Sequence, residues 1–241
     1  MSTKGKIALI ILIILLFAVI AYLIWPKPVE YSSRTVIGTV DLPNPKFTGS
    51  MSVEQAIHDR RSVRKYTNES LTLNDVSQLL WAAYGVTEAS KNFKTVPSGG
   101  HTYPLEIYLI VGNGSVKGLD SGFYHYVPQN HSLEKILDGD LREKFAKASH
   151  NQLWIKEAPV NIVITGNDDK MMNKYKDNKL SIRFVDIEAG HSGQNIYLQA
   201  QAMNLATVAI GSFYEDQVIN ILHLPSNERI IYSFPVGHSA K

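Results

Sequence analysis

The stretch Arg60-Arg61-Ser62-Val63-Arg64-Lys65-Tyr66 places three guanidinium groups, one ammonium group and a serine hydroxyl within seven residues. A guanidinium presents a rigid fork of donors that matches phosphate geometry, and a nearby hydroxyl can donate to the same oxygens. The stretch therefore predicts an anion-binding site, with a phosphorylated cofactor as the first candidate. The alternative is a solvated basic helix end, because the capping-box spacing of Ser52 and Gln55 predicts a short helix that leads into Arg60.

The composition limits both the fold and the partners. At 241 residues with 44% hydrophobic content, the chain is long enough for one membrane segment and a single domain with a sizeable core. The net charge of +2 and the isoelectric point near 8.6 give no support for nucleic acid as a partner. The chain has no cysteine, which excludes thiolate nucleophiles, zinc–thiolate sites, iron–sulfur ligation and disulfides.

A run of 19 uncharged residues, Ile7 to Trp25, lies near the N-terminus. As a helix at about 1.5 Å per residue it covers roughly 28 Å, close to the hydrocarbon thickness of a bilayer. Its length, with Tyr22 and Trp25 as interfacial residues, favours an uncleaved anchor over a cleaved signal peptide. The sequence thus predicts a single-pass membrane protein with residues 7–25 in the lipid bilayer. A slight excess of positive charge before the span weakly favours an extracytoplasmic domain.

The hydropathy pattern divides the chain into a membrane anchor at residues 1–27, a linker at residues 28–49 and a globular domain at residues 50–241. Strands are predicted at residues 105–111, 122–127, 160–164 and 229–236, and helices at residues 72–84, 133–148 and 180–205. The charged residues 168–179 are predicted to be an exposed, mobile insertion. Gly190 and Gly193 inside the last helix predict close approach of another backbone. Together these elements predict an α+β fold with a mostly buried sheet.

Short motifs for other chemistries are absent or incomplete. Gly112-x-Gly114 follows a predicted strand, but the third glycine of a dinucleotide fingerprint is at residue 118 instead of 117, and no helix is predicted there. Glu188-x-x-His191 is one carboxylate–histidine pair, whereas a di-metal site needs two, so no metal site is predicted. The sequence contains neither a P-loop nor a Gly-x-Ser-x-Gly nucleophile elbow. Cofactor-free catalysis therefore has little support.

Four further segments follow Arg60 to Tyr66 in the chain. They are Pro97-Ser98-Gly99-Gly100-His101-Thr102-Tyr103-Pro104-Leu105-Glu106-Ile107-Tyr108, Gly122-Phe123-Tyr124-His125-Tyr126, Asp186-Ile187-Glu188-Ala189-Gly190-His191 and Ala209-Ile210-Gly211-Ser212-Phe213. Over residues from about 50 to 238, the five segments resemble the nitroreductase-like FMN flavoprotein family, and especially its SagB-type dehydrogenase branch. Each segment alone is a weak signal, but five in the family's order and spacing are strong evidence.

The resemblance implies an α+β nitroreductase-like fold, with a mixed central sheet flanked by helices after the predicted transmembrane helix. It implies FMN as the cofactor, NAD(P)H as a candidate electron donor, and an intertwined homodimer with FMN at the subunit interface. The residues that match cofactor-binding positions are Arg60, Ser62 and Arg64 (phosphate and ribityl chain, with Arg61 adjacent), Pro97, Ser98 and Gly99 (a loop along the cofactor), and Ala209, Ile210 and Gly211 (a strand end facing the isoalloxazine near N5).

The resulting hypothesis is a membrane-anchored FMN oxidoreductase that passes hydride equivalents through flavin N5 in two half-reactions. The sequence identifies no catalytic side chain, although the loop positions of His101 and Tyr103 make them candidates for a general acid. The substrate is a small molecule or a peptide, which leaves an NAD(P)H-dependent reductase of nitroaromatics or quinones and a SagB-like dehydrogenase both open. A third hypothesis is a membrane-tethered flavin-binding sensor or scaffold without turnover.

Only Lys241 is basic after His238. Many family members carry more basic residues there, so either FMN binding is weaker or the arginines near residue 60 suffice.

Overall fold

The computed structural model of the protein describes Gly5, residues 13–17 and residues 34–240. The chain divides into two units: the first is Met1–Tyr31 and the second is Ser32–Lys241. In the first unit, the described residues 13–17 are helical. The second unit contains every segment that the sequence predicts to bind the cofactor.

The predicted membrane location is wrong, because among the described residues no helix is both long and apolar enough to cross a bilayer. Within Ile7 to Trp25 the structure describes only residues 13–17. The remainder of the predicted span, and the predicted contact with the bilayer, lie outside the described residues. The single-pass topology and the extracytoplasmic placement are therefore withdrawn.

A seven-stranded sheet forms the centre of the second unit. Its strands are β1 (Gly38–Asp41), β5 (Leu105–Val111), β7 (Gly122–Val127), β8 (Ser132–Asp138), β9 (Val160–Gly166), β10 (Ala206–Thr207) and β11 (Arg229–Gly237). Their spatial order is β1-β8-β7-β5-β9-β11-β10. All neighbours pair antiparallel, which corrects the predicted mixed sheet. A parallel pair does occur, but in a separate two-stranded sheet of β2 (Leu71–Thr72) and β6 (Val116–Lys117). Hydropathy predicts where strands lie but not which direction a neighbour runs.

Helices cover both faces of this sheet. They are α1 (Val53–Asp59), α2 (Leu73–Tyr84), α3 (Arg142–Ala148), α4 (Leu153–Glu157), α5 (Asp168–Tyr175), α6 (Asn178–Ala202) and α7 (Glu215–Leu222). A short hairpin of β3 (Val86–Glu88) and β4 (Phe93–Lys94) follows α2. The predicted cap is confirmed, since the Ser52 side chain accepts from the Gln55 N–H at the start of α1. The long helix is also confirmed as α6.

Three segments differ from the sequence predictions. Residues 168–179 were predicted to be an exposed insertion, but α5 occupies most of this segment and buries Met171 completely. The first part of the helix predicted at residues 133–148 is strand β8, in which Leu133 packs into the core on one face of the sheet and Ile136 into the core on the other. Part of the predicted linker forms the edge strand β1. Local charge and periodicity predicted these segments poorly because contacts distant in sequence decide their structure.

The sheet buries apolar side chains on both faces, and β5 shows how. Ile107 and Leu109 face one core together with residues of α2 and α6, whereas Tyr108 and Ile110 face a second core with residues of α3, α4 and α7. The alternation follows from the two-residue period of a strand. As a result, α6 lies directly on the sheet across one face.

The two glycines of α6 have different surroundings. A Cβ atom built on Gly193 would lie 2.7 Å from Cζ of the Phe234 ring in β11, so this glycine lets the helix approach the sheet. A Cβ atom on Gly190 would have no neighbour within 4 Å among the described residues. Within the described residues the predicted approach of another backbone is therefore wrong: Gly193 adjoins an aromatic side chain of the sheet, and Gly190 has no close neighbour.

We expect Gly193→Ala to lower the free energy of unfolding by roughly 1–3 kcal/mol, because the added methyl group overpacks against the buried Phe234 ring. Urea unfolding followed by circular dichroism measures the change. Gly190→Ala is the matched control in the same helix and should leave stability unchanged or raise it by roughly 0.5–1 kcal/mol through helix propensity. Equal destabilisation by both substitutions would contradict the steric explanation.

Candidate cofactor site

The stretch Arg60 to Tyr66 leaves the end of α1 and lies against the edge of the sheet. Ser62 forms a parallel bridge with Thr207 of β10, in which the Val63 N–H donates to the Thr207 carbonyl at 2.9 Å. The Tyr66 hydroxyl lies 2.9 Å from the carbonyl of Val63 and 3.0 Å from that of Pro235 in β11. Burial raises the pKa of Tyr66 well above its ordinary value, so this hydroxyl stays protonated and can donate. The stretch is thereby fixed in position beside β10 and β11.

The three arginines of this stretch have different roles. Arg61 Nη1 donates to the carbonyls of His58 and Arg60 at 2.8 Å each, so it satisfies backbone acceptors at the end of α1. The guanidinium of Arg60 lies 5.2 Å from the ring centre of Tyr197, and that of Arg64 lies 5.6 Å from the ring of Trp154. The basic-helix-end alternative thus describes Arg61 and also Arg60, which is the C-cap residue of α1, whereas Arg64 lies beyond the helix.

None of these arginines forms a close ion pair within the described residues, although Arg61 lies near enough to Asp59 to help lower the pKa of that carboxyl group. Within residues 34–240, no carboxylate oxygen lies within 4.0 Å of the guanidiniums of Arg60, Arg61 or Arg64. In the same part of the chain, the buried indole N–H of Trp154, next to Arg64, has no hydrogen-bond acceptor. Fixed guanidiniums, a serine hydroxyl and an unpaired N–H form a donor set that fits a phosphate group.

Tyr197 of α6 connects this stretch to the strand end at Ala209. Its hydroxyl accepts from the Ala209 N–H at 2.8 Å and lies 2.9 Å from Oγ of Ser62. Sequence reasoning missed Tyr197, since a tyrosine within a long amphipathic helix is usually part of the core. The structure shows instead that its half-buried side chain joins two of the predicted cofactor-binding segments.

The segment Ala209 to Gly211 presents few free backbone donors. The Ala209 N–H is taken by Tyr197, and Ile210 exchanges two hydrogen bonds of 2.9 Å with Ser233 of β11. The Ile210 side chain is buried in the core and cannot contact a ligand directly. In the described chain, Gly211 alone of these three residues has an N–H without a partner, and it is exposed.

The loop containing Pro97, Ser98 and Gly99 lies elsewhere along α6. Asn195 Nδ2 donates to the carbonyl of Thr95 at 3.1 Å, and a Cβ atom on Gly99 would lie 3.6 Å from the Phe184 ring. The loop therefore runs from Asn195 toward the N-terminal end of α6, about 16 Å along the helix. Residues two positions apart on a helix point about 200° apart, so Asn195 and Tyr197 face different sides. One protomer thus brings Ser62 and Ala209 together but holds this loop on another side of α6.

His101 and Tyr103, the candidates for a general acid, lie at the end of this loop. His101 is exposed, and Tyr103 is buried with its hydroxyl 3.4 Å from the Lys94 N–H. Beneath them, the carboxyl of Glu188 accepts from the Tyr84 hydroxyl at 2.7 Å. Burial raises the pKa of Glu188, although hydrogen bonding opposes this effect. Sequence reasoning did not identify Lys94 or Tyr84, which have no motif of their own.

The chain is similar to known proteins over most of its length. The sequence pattern of the Nitroreductase family matches residues 57–238. The chain is 41% identical over 187 residues to the putative nitroreductase MJ1384 of Methanocaldococcus jannaschii, covering 78% of this chain and 91% of that protein. It is 29% identical over 147 residues to the trifolitoxin-processing protein TfxB of Rhizobium leguminosarum bv. trifolii, covering 59% of this chain but only 39% of TfxB.

A solved structure shows the same fold. The crystal structure of a putative nitroreductase from Ralstonia eutropha JMP134 superposes with a TM-score of 0.73 at 26% sequence identity, covering 89% of this chain and 97% of that one. The fold, the order of the segments and the sequence match agree. The chain belongs to the Nitroreductase family.

Proposed function

We propose that the protein is an FMN-dependent oxidoreductase that transfers hydride through flavin N5. The proposal rests on family membership, since nitroreductases are typically FMN-dependent oxidoreductases. The observation that carries it to this chain is the pair of guanidiniums, Arg60 and Arg64, stacked on aromatic rings with no carboxylate partner among residues 34–240. FMN supplies the hydride chemistry when bound, and the residues discussed below bind and orient it.

In this proposal, Arg60, Ser62 and Arg64 bind the phosphate and the ribityl chain. The Tyr197 hydroxyl accepts from Ala209, so its own proton is available to the Ser62 oxygen. The Ser62 proton then remains free to donate to a phosphate oxygen. Arg61 contributes positive charge while its guanidinium caps α1.

At the other end of the cofactor, the Gly211 N–H is the backbone donor that this segment offers near N5. Ala209 and Ile210 hold it in place through their hydrogen bonds to Tyr197 and Ser233. An exposed backbone N–H on a fixed strand end favours negative charge developing close to it. Ala209 and Ile210 thus act as supports for Gly211.

A homodimer would complete the site. Nitroreductases are commonly homodimers, and in one protomer the loop Pro97 to Gly99 lies on a different side of α6 from Tyr197. We assign this loop to the FMN held by the partner subunit. Apolar side chains exposed on the protomer support an interface: Val53 is 64% exposed, Ile57 is 55% exposed and Ile187 is 49% exposed.

Two reaction classes fit this site. One is an NAD(P)H-dependent reduction of a small molecule, and the other is a SagB-type dehydrogenation of a peptide. The similarity to the trifolitoxin-processing protein TfxB supports the second. Both require the same FMN site, so the electron donor distinguishes them.

We expect the purified full-length protein to show flavin absorbance bands after reconstitution with FMN. Anaerobic addition of NADH or NADPH should bleach these bands if the protein is a nicotinamide-dependent reductase. Bands that persist with both donors would favour the peptide dehydrogenase or a non-catalytic flavin protein. A folded protein that takes up no FMN would contradict the proposed function.

The double variant Arg60→Ala/Arg64→Ala should lose FMN, because it removes the two guanidiniums proposed to bind the phosphate directly. FMN occupancy after gel filtration, measured by absorbance, tests this. Lys65→Ala removes one charge from the same stretch and is the matched control, with occupancy expected to remain as in the wild type. Unchanged occupancy in the double variant, with circular dichroism showing an intact fold, would place the phosphate elsewhere.

Tyr197→Phe should weaken FMN binding by about three- to tenfold, because it removes the hydroxyl that orients Ser62 while keeping the ring beneath Arg60. Fluorescence titration with FMN measures the dissociation constant. Tyr214→Phe, at an exposed tyrosine that follows the strand end, serves as the control. If the wild type, Tyr197→Phe and Tyr214→Phe bind FMN with equal affinity, the Tyr197 hydroxyl does not support the site.

A further inference from the structure

A cavity of about 290 Å³ is lined in part by His101 and Tyr103, at the end of the loop described above. Its volume is near the lower end of small-molecule sites. Charged groups and tyrosine rings line it, with Lys94 from the β3–β4 hairpin, Glu106 from β5 and Lys170 from α5. No residue of this cavity belongs to the stretch near Arg60.

One carboxylate of the cavity is already paired. Glu106 binds Lys170 Nζ at 2.7 Å and His125 Nε2 at 2.9 Å, and Arg34 Nη2 lies 3.9 Å away. Burial alone would raise the pKa of Glu106, but the contacts with His125 and Lys170 outweigh it and lower the pKa to about 2. Glu106 therefore stays ionised and its charge is compensated.

Lys94 has no such partner. Its Nζ lies 3.8 Å from the ring centre of Tyr84 and 5.0 Å from that of Tyr103. Within residues 34–240, no carboxylate lies within 4.0 Å of Nζ and no hydrogen bond to it occurs. Burial lowers the pKa of Lys94 to about 8. The carboxylates of Glu106 and Glu188 oppose this shift from beyond contact distance, and Lys170 adds to it. An ammonium that is partly removed from water and touches neither a carboxylate nor a hydrogen-bond acceptor gains when a ligand supplies one.

The backbone beside Lys94 is strained. Gly100, His101 and Tyr103 have φ angles of 59°, 61° and 48°, in the left-handed region. Such a φ is unusual for a bulky residue such as Tyr103, and the hydrogen bond from its N–H to Ser98 Oγ at 2.8 Å holds it there. Strained residues of this kind cluster at ligand-binding sites. Here the strain brings the Tyr103 ring to the side of Lys94.

We propose that this cavity binds the carboxylate of a small organic anion, with Lys94 as the cationic contact and the rings of Tyr84 and Tyr103 as its walls. Within residues 34–240 no carboxylate touches Lys94, whereas Lys170 already binds Glu106, so Lys94 is the cation of this cavity that is open to a ligand carboxylate. The planar tyrosine rings favour an aromatic or other flat apolar body on the ligand. The proposed binding of the anion does not require FMN. Its test can therefore fail while the proposed function holds, and the reverse is also true.

Benzoate and its uncharged isostere benzamide are the probes, with the full-length wild-type protein in the absence of added FMN. We expect benzoate to bind at millimolar concentrations and benzamide to bind at least about tenfold more weakly, as measured by ligand-observed NMR. Protein-observed shifts should concentrate at Tyr103, Tyr126 and Val127, which line the cavity. No benzoate binding, or equal binding of both probes, would overturn the proposal.

Lys94→Met should weaken benzoate binding by about tenfold or more, whereas Lys94→Arg should retain most of it, because only the latter keeps a cation. Lys91→Met is the matched control: this exposed lysine beside the same hairpin pairs with Glu88 and lies outside the cavity. Unchanged affinity in folded Lys94→Met would exclude Lys94 as the contact.

The wild-type protein provides a second measurement if Lys94→Met does not fold. Benzoate stays ionised above neutral pH, and Lys94 is charged below its pKa of about 8, so affinity should fall as the pH rises through 8. The charged and titratable groups that face Lys94 are Tyr84, His101, Tyr103, Glu106, His125, Lys170 and Glu188. Benzoate affinity that does not change between pH 7 and 9 would contradict the proposal.

Discussion

The packing of α6 on the sheet is the contact on which the rest of this structure depends. Gly193 allows the helix to approach the Phe234 ring, which fixes its distance from the sheet. Side chains of the helix then reach outward to each functional segment. Tyr197 binds Ser62 and Ala209, Asn195 binds the start of the loop before Pro97, and Glu188 binds Tyr84 beneath Lys94. A shift of this one helix would therefore move both the candidate cofactor site and the cavity that contains Lys94.

The cost of desolvation distinguishes the few cations without a carboxylate partner from the many paired charges. Most buried or half-buried ionic groups of the second unit are paired, as Glu228 is by Arg34, Tyr108 and Thr165. Pairing offsets the cost of removing a charge from water, so these groups contribute to the fold and need no ligand. The cations that stack on aromatic rings without a carboxylate are the exceptions. Their positions, at the end of α1 and beside the β3–β4 hairpin, are where external anions would lower the free energy most.

The sequence was informative where local rules decide the structure. Helix capping at Ser52, the strand at residues 105–111 and the long helix α6 follow from side-chain periodicity and short-range hydrogen bonds. The family resemblance rested on spacing; the fold and the family match confirm membership of the Nitroreductase family, whereas the SagB-type branch stays a prediction. The predicted cofactor contacts remain predictions. Strand direction, the burial of α5 and the role of Tyr197 could not be predicted, because each depends on partners distant in the chain. Hydropathy also misled at the N-terminus, since an uncharged run alone does not establish a membrane-spanning helix.

The contact between Gly193 and Phe234 also restricts how the family can diverge. A larger side chain in the helix is compatible with this packing only if the opposing ring becomes smaller, and a smaller ring alone would leave a cavity in the core. The two positions should therefore covary among homologues, with volume exchanged between them. Because the same helix carries Tyr197, one turn further along, such an exchange would alter the geometry of the candidate cofactor site even though neither residue lies in that site. Differences in activity between relatives could thus originate in a pair of core residues.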